Sequence, residues 1–198
     1  MFVQVIKGKT KDADALRAIG DKWQRELRPG AVGYVGSTVG VAADGTFVAI
    51  ACFTDDVAAK ENSNRPEQDA WYQEFTTVMA GEPTFRESSD ASLLFDGPSP
   101  KATFVQVMEG TVTDRAQADA AMGPEMEQQL RKARPDLLGG LRVWFGGGAY
   151  LNAAYFTSEA DARKNENSDE FTQPNEERLA LFGEPAYTDL ANPQVDVA

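Results

Sequence analysis

The chain contains nearly the same opening twice, and no other feature constrains its fold as strongly. The stretch FVQVIKGKTKD begins at Phe2 and FVQVMEGTVTD begins at Phe104, and six of the eleven paired positions are identical. The tripeptide at Gly81 recurs at Gly183, with the same separation of 102 residues (104 − 2 and 183 − 81). Two copies of about 100 residues each have the size of small domains. The sequence therefore predicts a tandem duplication and not a solenoid of short repeats.

The repeat also predicts where the two domains meet. The stretch DGPSPK, residues 96 to 101, contains one Gly and two Pro between the copies, and such residues interrupt regular structure. We expect a first domain over residues 1–97, a linker over residues 98–101 and a second domain over residues 102–198.

The composition removes several classes of function. The 198 residues include one cysteine, Cys52, and no histidine. One cysteine cannot form a disulfide framework or a cysteine-based zinc cluster within the chain. The lack of imidazole removes the commonest metal ligand, the usual general base of a Ser or Cys nucleophile and the usual proximal ligand of haem. We therefore expect neither a metal nor another cofactor.

The charge and the hydropathy pattern restrict the partners. A net charge of −12 repels phosphate backbones, so nucleic acid is not an expected partner. No apolar run reaches the 18 residues typical of a membrane span, and the first residues have the pattern of a strand instead of a signal peptide. We expect a cytoplasmic protein with no membrane partner.

Both halves have the element order strand, helix, strand, strand, helix, strand. In the first half a β-branched and aromatic stretch starts at Phe2, and DADALRAIGDKWQREL has apolar residues at helical spacing. Asp44-Gly45 indicates a hairpin, a second helix is expected from the TDD cap to Gly81, and a final strand starts near Phe85. This order is typical of a ferredoxin-like α+β unit, with both helices on one face of an antiparallel sheet.

The first strand is apolar on both of its faces. Phe2 and Ile6 lie on one face and Val3 and Val5 on the other, so neither face is expected to be fully hydrated. We expect the two ferredoxin-like (βαββαβ) units to pack face to face as an intrachain dimeric α+β barrel. The protein would then be a monomeric pseudo-dimer or a homodimer.

Longer stretches resemble a known family. FTDDVAAKENSNRPEQDAWYQEF, its counterpart FTSEADARKNENSDEF and the GEPTF and GEPAY ends are similar to antibiotic-biosynthesis-monooxygenase-like (ABM) domains of the dimeric α+β barrel superfamily. The resemblance implies a cavity under the sheet that holds a flat phenolic substrate. It also implies oxygenation without metal or flavin, with an Asn and a Trp from the second helix region and an Arg from the last strand.

The resemblance assigns these roles more completely in the first half than in the second. It implies catalytic roles for Asn62, Trp71 and Arg86, and Asn64 and Tyr72 stand beside them as substrate-binding candidates. In the second half Asn165 and Asn167 are available, but Phe171 or Asn175 stands in place of the Trp and Thr188 in place of the Arg. The first half is therefore expected to hold the working site.

Each candidate also has a structural explanation that the sequence leaves open. Trp71 is followed by Phe75 and Val78 at helical spacing, which favours a packed core residue. Asn62 and Asn64 fall in a polar run, which favours a role in helix capping. Arg86 has acidic neighbours in the sequence, which favours an exposed ion pair.

Two matching glutamines and one tryptophan complete the predicted binding set. Gln4 and Gln106 occupy equal places in the first strand of each half, and a buried amide needs partners from protein, water or ligand. Trp144, together with Tyr150, flanks the Gly146 to Gly148 stretch, which we interpret as a hairpin turn and not a phosphate-binding loop. Both aromatics either close a cavity or pack on the sheet.

Two functions of different class are compatible with these residues. One is a cofactor-independent monooxygenase-like activity on a small aromatic or phenolic molecule bound in a barrel cavity. The alternative is a non-catalytic small-molecule-binding protein or a structural barrel, because fold alone does not decide function.

Overall fold

The computed structural model describes residues 1–166 and 180–197 of the chain. The chain divides into two compact units, one formed by Met1–Ser89 with Gln194–Ala198 and the other by Asp90–Pro193. The domain boundaries expected from the repeat refer to the two sequence copies and stay a prediction.

Ten strands form two antiparallel sheets in the described residues. The strands are β1 (Phe2–Lys9), β2 (Tyr34–Val41), β3 (Thr46–Phe53), β4 (Thr84–Ser88), β5 (Ala91–Leu94), β6 (Phe104–Thr111), β7 (Leu137–Trp144), β8 (Ala149–Phe156), β9 (Ala186–Ala191) and β10 (Gln194–Val197). The first sheet has the order β10-β2-β3-β1-β4, and the second has the order β5-β7-β8-β6-β9. The predicted α+β class with two repeated sheets is confirmed, and the expected face-to-face packing of the sheets stays a prediction.

Six α-helices connect the strands within the described residues. They are α1 (Ala13–Lys22), α2 (Asp56–Ser63), α3 (Pro66–Thr77), α4 (Arg115–Ala121), α5 (Pro124–Ala133) and α6 (Glu159–Glu166). Helix α1 continues through a π-helical turn, Trp23–Leu27, into a 3-10 turn, Arg28–Gly30. None of the helices in residues 1–166 and 180–197 combines the length and the apolar character needed to cross a membrane.

The second helix of the first unit is broken, which corrects the single helix expected from the TDD cap to Gly81. Asp55 caps α2 by accepting a hydrogen bond from the backbone N–H of Ala58 at 2.8 Å. The helix ends before Arg65, which has an extended backbone because Pro66 follows it. Pro66 then starts α3, where its missing N–H costs no hydrogen bond.

Each sheet contains an edge strand that the sequence patterns did not predict. Strand β10 pairs with β2 in the first unit, with Gln194 opposite Val39. Strand β5 pairs with β7 in the second unit, with Ser92 opposite Arg142. Both strands have only four residues, so their alternation is too short to be distinguished from a loop.

The Gly146–Gly148 stretch forms the turn between β7 and β8, as predicted. Gly147 and Gly148 have φ angles of 71° and 77°, which L side chains rarely adopt. A Cβ atom on Gly148 would also lie 2.4 Å from the carbonyl oxygen of Val112. Glycine at this position therefore permits both the turn and the close approach of the backbone.

The first sheet is buried on both faces, as its apolar alternation indicates. Val3 and Val5 are almost fully buried on one face, together with Val48 and Ile50 of β3. Phe2 lies on the other face, opposite Phe53, and belongs to the core beneath the helices. The helix-facing side is the one that contains the candidate site.

Candidate functional site

A cavity of about 320 Å³ lies between the sheet and the helices of the first unit. Its volume is within the range of small-molecule sites. Strands β1, β2, β3, β4 and β10 contribute one wall, and α1, its π-helical turn, α2 and α3 contribute the other. Apolar and aromatic side chains dominate both walls, among them Ile6, Leu16, Trp23, Tyr34, Val39, Phe47, Phe53, Trp71, Tyr72, Phe75 and Phe85.

Small side chains at the centre of the sheet make room for the cavity. Ala51 lies opposite Gln4 and Ala49 lies opposite Ile6 in the register of β1 and β3. All four residues line the cavity, because alternate residues of a strand share one face. Larger residues at the two alanine positions would occupy this space.

The aromatic residues of the helical wall are held by hydrogen bonds and stacking. Trp71 stacks on Phe75 with an interplanar angle of 12° and donates its indole N–H to the carbonyl oxygen of Ile19 at 2.9 Å. The indole N–H of Trp23 donates to Oε1 of Gln68 at 2.7 Å. The two tryptophans therefore present their rings to the cavity while protein acceptors use their N–H groups.

Asn62 is the buried amide of this wall. It is 7% exposed, and its Oδ1 accepts a hydrogen bond from Nη1 of Arg65 at 2.9 Å. The same Nη1 donates to the carbonyl oxygen of Leu27 at 3.0 Å, which fixes the guanidinium. Within residues 1–166 and 180–197, Nδ2 of Asn62 has no hydrogen-bond acceptor. The cavity wall thus contains an oriented amide with its donor side available.

Tyr34 contributes a neutral hydroxyl. Its O–H donates to Oγ of Ser37 at 2.7 Å, and both residues line the cavity. Burial raises the pKa of Tyr34 to about 12, so the phenol stays protonated at neutral pH. Asp69, which is exposed, is the one carboxylate among the described lining residues. The polar groups of the wall are therefore mostly neutral dipoles.

The structure brings together four of the residues predicted for the first half. Asn62, Trp71, Tyr72 and Gln4 all line the cavity. Tyr72 is half-buried, and burial raises its pKa. Gln4 donates from Nε2 to Oε1 of Glu87 at 2.7 Å, so part of its amide is used within the sheet.

The other two residues predicted for the first half lie elsewhere. Arg86 is opposite Val5, whereas its neighbour Phe85 is opposite Ile6 and lines the cavity. Because adjacent strand residues face opposite sides, Arg86 belongs to the sheet face away from the cavity. Asn64 is exposed at the C-cap of α2 and is not part of the lining.

The predicted residues of the second unit make contacts within that unit. Gln106 is buried and donates from Nε2 to Oδ1 of Asp189 at 3.1 Å. Trp144 donates its indole N–H to Oδ1 of Asp119 at 3.0 Å. Asn165 donates to Oδ1 of Asp136 at 2.8 Å, and Thr188 lies opposite Val107 in the sheet. Asn167, Phe171 and Asn175 lie outside the described residues.

Sequence reasoning missed most of the cavity wall. Tyr34 and Ser37 on β2, and Trp23 and Gln68 on the helices, were not predicted as site residues. The alternation of β2 could have placed Ser37 beside Val39, but the register shift between Tyr34 and Gly36 hides the position of Tyr34. The contact of Trp23 with Gln68 depends on how two helices pack, which a single sequence does not show.

Solved structures with the same fold cover almost the whole chain. A putative monooxygenase from Lactobacillus acidophilus NCFM matches with a TM-score of 0.70 and 9% identity, over 99% of this chain and 96% of that chain. A putative monooxygenase from Fusobacterium nucleatum subsp. nucleatum matches with a TM-score of 0.73 and 8% identity, over 99% and 94%. An anthrone oxidase-like protein matches with a TM-score of 0.64 and 12% identity, over 100% and 91%.

The chain shares the fold of these proteins. The predicted α+β fold with two repeated sheets is thereby confirmed. At these identities the likeness concerns the fold, and the residues of the site have to be argued from their own contacts. No protein-family model matches the chain, and no curated protein matches it.

Proposed function

We propose that the first unit binds a small, flat aromatic molecule in its cavity and oxygenates it without a cofactor. The observation that carries the proposal is Asn62, a buried amide with its oxygen held by Arg65 and its Nδ2 without an acceptor in the described residues. A buried donor without a partner costs about 1–3 kcal/mol, and a ligand oxygen would remove this cost. The apolar and aromatic walls complete a site for an aromatic ring that carries a hydroxyl or carbonyl oxygen.

The chemistry that suits this site begins with a phenol. Loss of the phenolic proton, to water or to Asp69, produces an electron-rich phenolate whose ring carbon reacts with O₂. One oxygen atom becomes the new carbonyl of a quinone, and the other leaves as water with two hydrogens from the substrate. The amide N–H of Asn62 donates to the substrate oxygen as negative charge develops, in a cavity lined mostly by apolar and aromatic side chains.

The roles of the other residues follow from their contacts. Trp71 and Tyr72 bound the space for the ring, and Trp71 cannot offer its N–H because Ile19 accepts it. Tyr34 remains a protonated dipole. Arg86 has no part in the proposed site, since it lies on the other face of the sheet.

Oxygen uptake tests the proposal directly. With anthrone and a set of hydroxynaphthalenes, the wild type is expected to consume O₂ and to form the quinone. Asn62→Ala is expected to lower kcat/KM by about 10²-fold, as loss of one oriented donor does. Asn64→Ala is the matched control, because it removes an exposed asparagine from the end of the same helix and should change kcat/KM less than about twofold.

The alternative function is a carrier of aromatic molecules. It is favoured by the single carboxylate of the described lining, Asp69, which is exposed and poorly placed to act as an interior base. Calorimetric binding of a hydroxynaphthalene without oxygen uptake would support this function and contradict the oxygenase. Equal activity of wild type and Asn62→Ala would contradict the proposed role of the amide.

A further inference from the structure

The second unit buries two arginines, and their surroundings differ. The side chain of Arg134 is 6% exposed and that of Arg142 is 5% exposed. Removing a guanidinium from water is costly unless hydrogen bonds and an opposite charge replace the lost hydration. The hydrogen-bond and charge partners of the two arginines can therefore be compared directly.

Arg134 has a complete internal partner. Its Nε and Nη2 donate to the two carboxylate oxygens of Asp136 at 3.1 and 2.8 Å, which is the bidentate geometry of a strong pair. Nη2 also lies 3.3 Å from the carbonyl oxygen of Ala162. The protein supplies a carboxylate where it buries this guanidinium.

Arg142 has no such partner in the described part of the chain. Its Nε donates to Oδ1 of Asn152 at 2.9 Å. The carboxylate oxygen that its terminal nitrogens approach, Oδ1 of Asp119, is 3.9 Å from Nη1 and already accepts the indole N–H of Trp144 at 3.0 Å. The other oxygen of Asp119 pairs with Arg115 at 3.3 Å. No further acceptor among residues 1–166 and 180–197 is within hydrogen-bond distance of the terminal nitrogens of Arg142.

Aromatic rings occupy much of the remaining surroundings of Arg142. The guanidinium carbon lies 5.7 Å from the ring centroid of Trp144 and 5.1 Å from that of Phe182. Burial lowers the pKa of Arg142, although Asp119 and Tyr150 act in the opposite direction. The groups around Arg142 thus offset its desolvation only in part.

The position of Arg142 in the sheet corresponds to a cavity wall. Arg142 lies opposite Asn152, as Val39 lies opposite Ala49 in the first unit. Val39 and Ala49 both line the cavity of the first unit. The repeat therefore places the guanidinium and the amide of Asn152 on the sheet face that binds the ligand in our proposal for the first unit.

We propose that Arg142 anchors a second ligand site, specific for the carboxylate of a small aromatic acid. The terminal N–H groups of the guanidinium would bind the two carboxylate oxygens, and the rings of Trp144 and Phe182 would contact the aromatic ring. A carboxylate with a single negative charge fits better than a phosphate, because Asp119 is close and the chain carries a net charge of −12.

Calorimetric titration with benzoate tests this site. The wild type is expected to bind benzoate and to bind the neutral isostere benzamide at least tenfold more weakly. Arg142→Met is expected to weaken benzoate binding at least 30-fold, because a desolvated charge partner is lost. Arg142→Lys keeps the charge without the planar fork and should have an intermediate affinity.

Three variants serve as controls. Arg131→Met removes an exposed arginine that also stacks on an aromatic ring, Phe95, and should leave benzoate affinity within about twofold. Asn64→Ala changes an exposed residue of the first unit and should also leave benzoate affinity within about twofold. A benzoate-binding step that persists in Arg142→Met belongs to the first-unit cavity, which separates this site from the proposed oxygenase. Asp119→Asn removes a competing negative charge and should strengthen benzoate binding about two- to fivefold.

Several results would overturn the proposal. The first is a wild type that does not bind benzoate, and the second is equal weakening by Arg142→Met and Arg131→Met. A third concerns Asp169, Glu170, Glu176 and Glu177, which lie outside the described residues. If benzoate binds only after these four are changed to amides, the partner of Arg142 is internal. Should Arg142→Met fail to fold, Arg142→Lys and Asp119→Asn still decide the question.

Discussion

Equivalent positions of the two repeated sheets are apolar in the first unit and polar in the second. Val39 and Ala49 face each other on β2 and β3, and Arg142 and Asn152 occupy the same places on β7 and β8. The first pair lines a cavity, whereas the second pair forms a hydrogen bond of 2.9 Å. The comparison shows that a duplicated topology can be kept while the interior chemistry changes.

A third position shows how differently the space above the sheet is used. Phe47 of β3 packs on Phe75 beside the cavity, and its counterpart on β8 is Tyr150. Tyr150 donates its O–H to the carbonyl oxygen of Phe182 at 3.0 Å and packs edge-on against the Phe182 ring. The phenol of Tyr150 is thus tied to the backbone at Phe182, whereas Phe47 makes only ring contacts.

The largest expected effect comes from the arginine that follows the first helical segment in each repeat. Arg134 pairs with Asp136 and both are buried, whereas Arg28 pairs with Asp196 and is about one-third exposed. Arg134→Met should lower the free energy of unfolding by about 3–5 kcal/mol, because it leaves the buried carboxylate of Asp136 without a charge partner. Arg28→Met should cost about 0–1 kcal/mol. Urea denaturation measures both, and equal costs would refute the contrast in burial.

Alkaline pH should destabilise the first unit through Tyr34. Its pKa is raised from 10.0 to about 12 by burial, so the folded state favours the protonated phenol. This contribution to stability is complete below pH 10 and is lost as the pH rises through 12. A shift of this size corresponds to roughly 2–3 kcal/mol.

The counterpart of Tyr34 in the second sheet is Leu137, which cannot ionise. Urea denaturation of wild type and Tyr34→Phe between pH 8 and 12 isolates the effect, since the other tyrosines and Cys52 are present in both proteins. The difference in stability between the two proteins should be constant below pH 10, and the wild type should lose stability relative to Tyr34→Phe as the pH rises from 10 to 12. Parallel pH dependence of the two proteins would mean that Tyr34 titrates normally.

Adding volume at one repeated alanine should separate the two interiors. Ala51 lines the cavity, and its counterpart Ala154 packs against the cluster that contains Phe104 and Phe156. Ala154→Leu should destabilise the protein by about 1–3 kcal/mol, because a packed site must rearrange. Ala51→Leu should cost less than about 1 kcal/mol but weaken binding of a hydroxynaphthalene at least tenfold, a loss of about 1.4 kcal/mol. Thermal denaturation measures the loss of stability, and calorimetry measures the loss of affinity for the hydroxynaphthalene. A large loss of stability in Ala51→Leu would contradict the presence of free space beside Ala51.

The smallest expected difference concerns the paired glutamines of the first strands. Gln106 is buried and bonds to Asp189, whereas Gln4 is half-buried and bonds to exposed Glu87. Gln106→Leu should cost about 1–2 kcal/mol, and Gln4→Leu should cost less than about 1 kcal/mol. Chemical denaturation at one pH compares them. A larger cost for Gln4→Leu would indicate that its amide also supports the cavity wall.

Much of the fold could be predicted because the same local strand and turn patterns occur in both halves of the sequence. Strand alternation from Phe2 and the Asp44-Gly45 turn specify topology through short-range rules. The alternation recurs from Phe104, and Gly146 to Gly148 take the place of the Asp-Gly turn. The break at Pro66 was visible in principle, since proline starts helices and does not continue them. Strands β5 and β10 could not be predicted, because their pairing depends on partners distant in sequence.

The candidate site was predictable only in part. Which residues line the cavity depends on the face of each helix that is buried and on the register of neighbouring strands. Asn62 and Asn64 are two residues apart, and only the packing of α2 determines that the first is buried and the second exposed. Phe85 and Arg86 are adjacent on β4, so the register against β1 selects which one lines the cavity. Likewise, the sequence around Arg142 shows strand alternation but gives no measure of burial.

The pairing of β10 with β2 has a consequence for the order in which the protein folds during translation. Gln194 lines the cavity of the first unit and donates from Nε2 to Asp21 in α1, yet it leaves the ribosome after residues 90–193. The N-terminal unit therefore waits with an unpaired β2 edge while the whole second unit is synthesised. An unpaired edge attracts other strands. Cutting the gene at the repeat boundary would consequently yield an N-terminal fragment with an incomplete cavity wall and a tendency to associate.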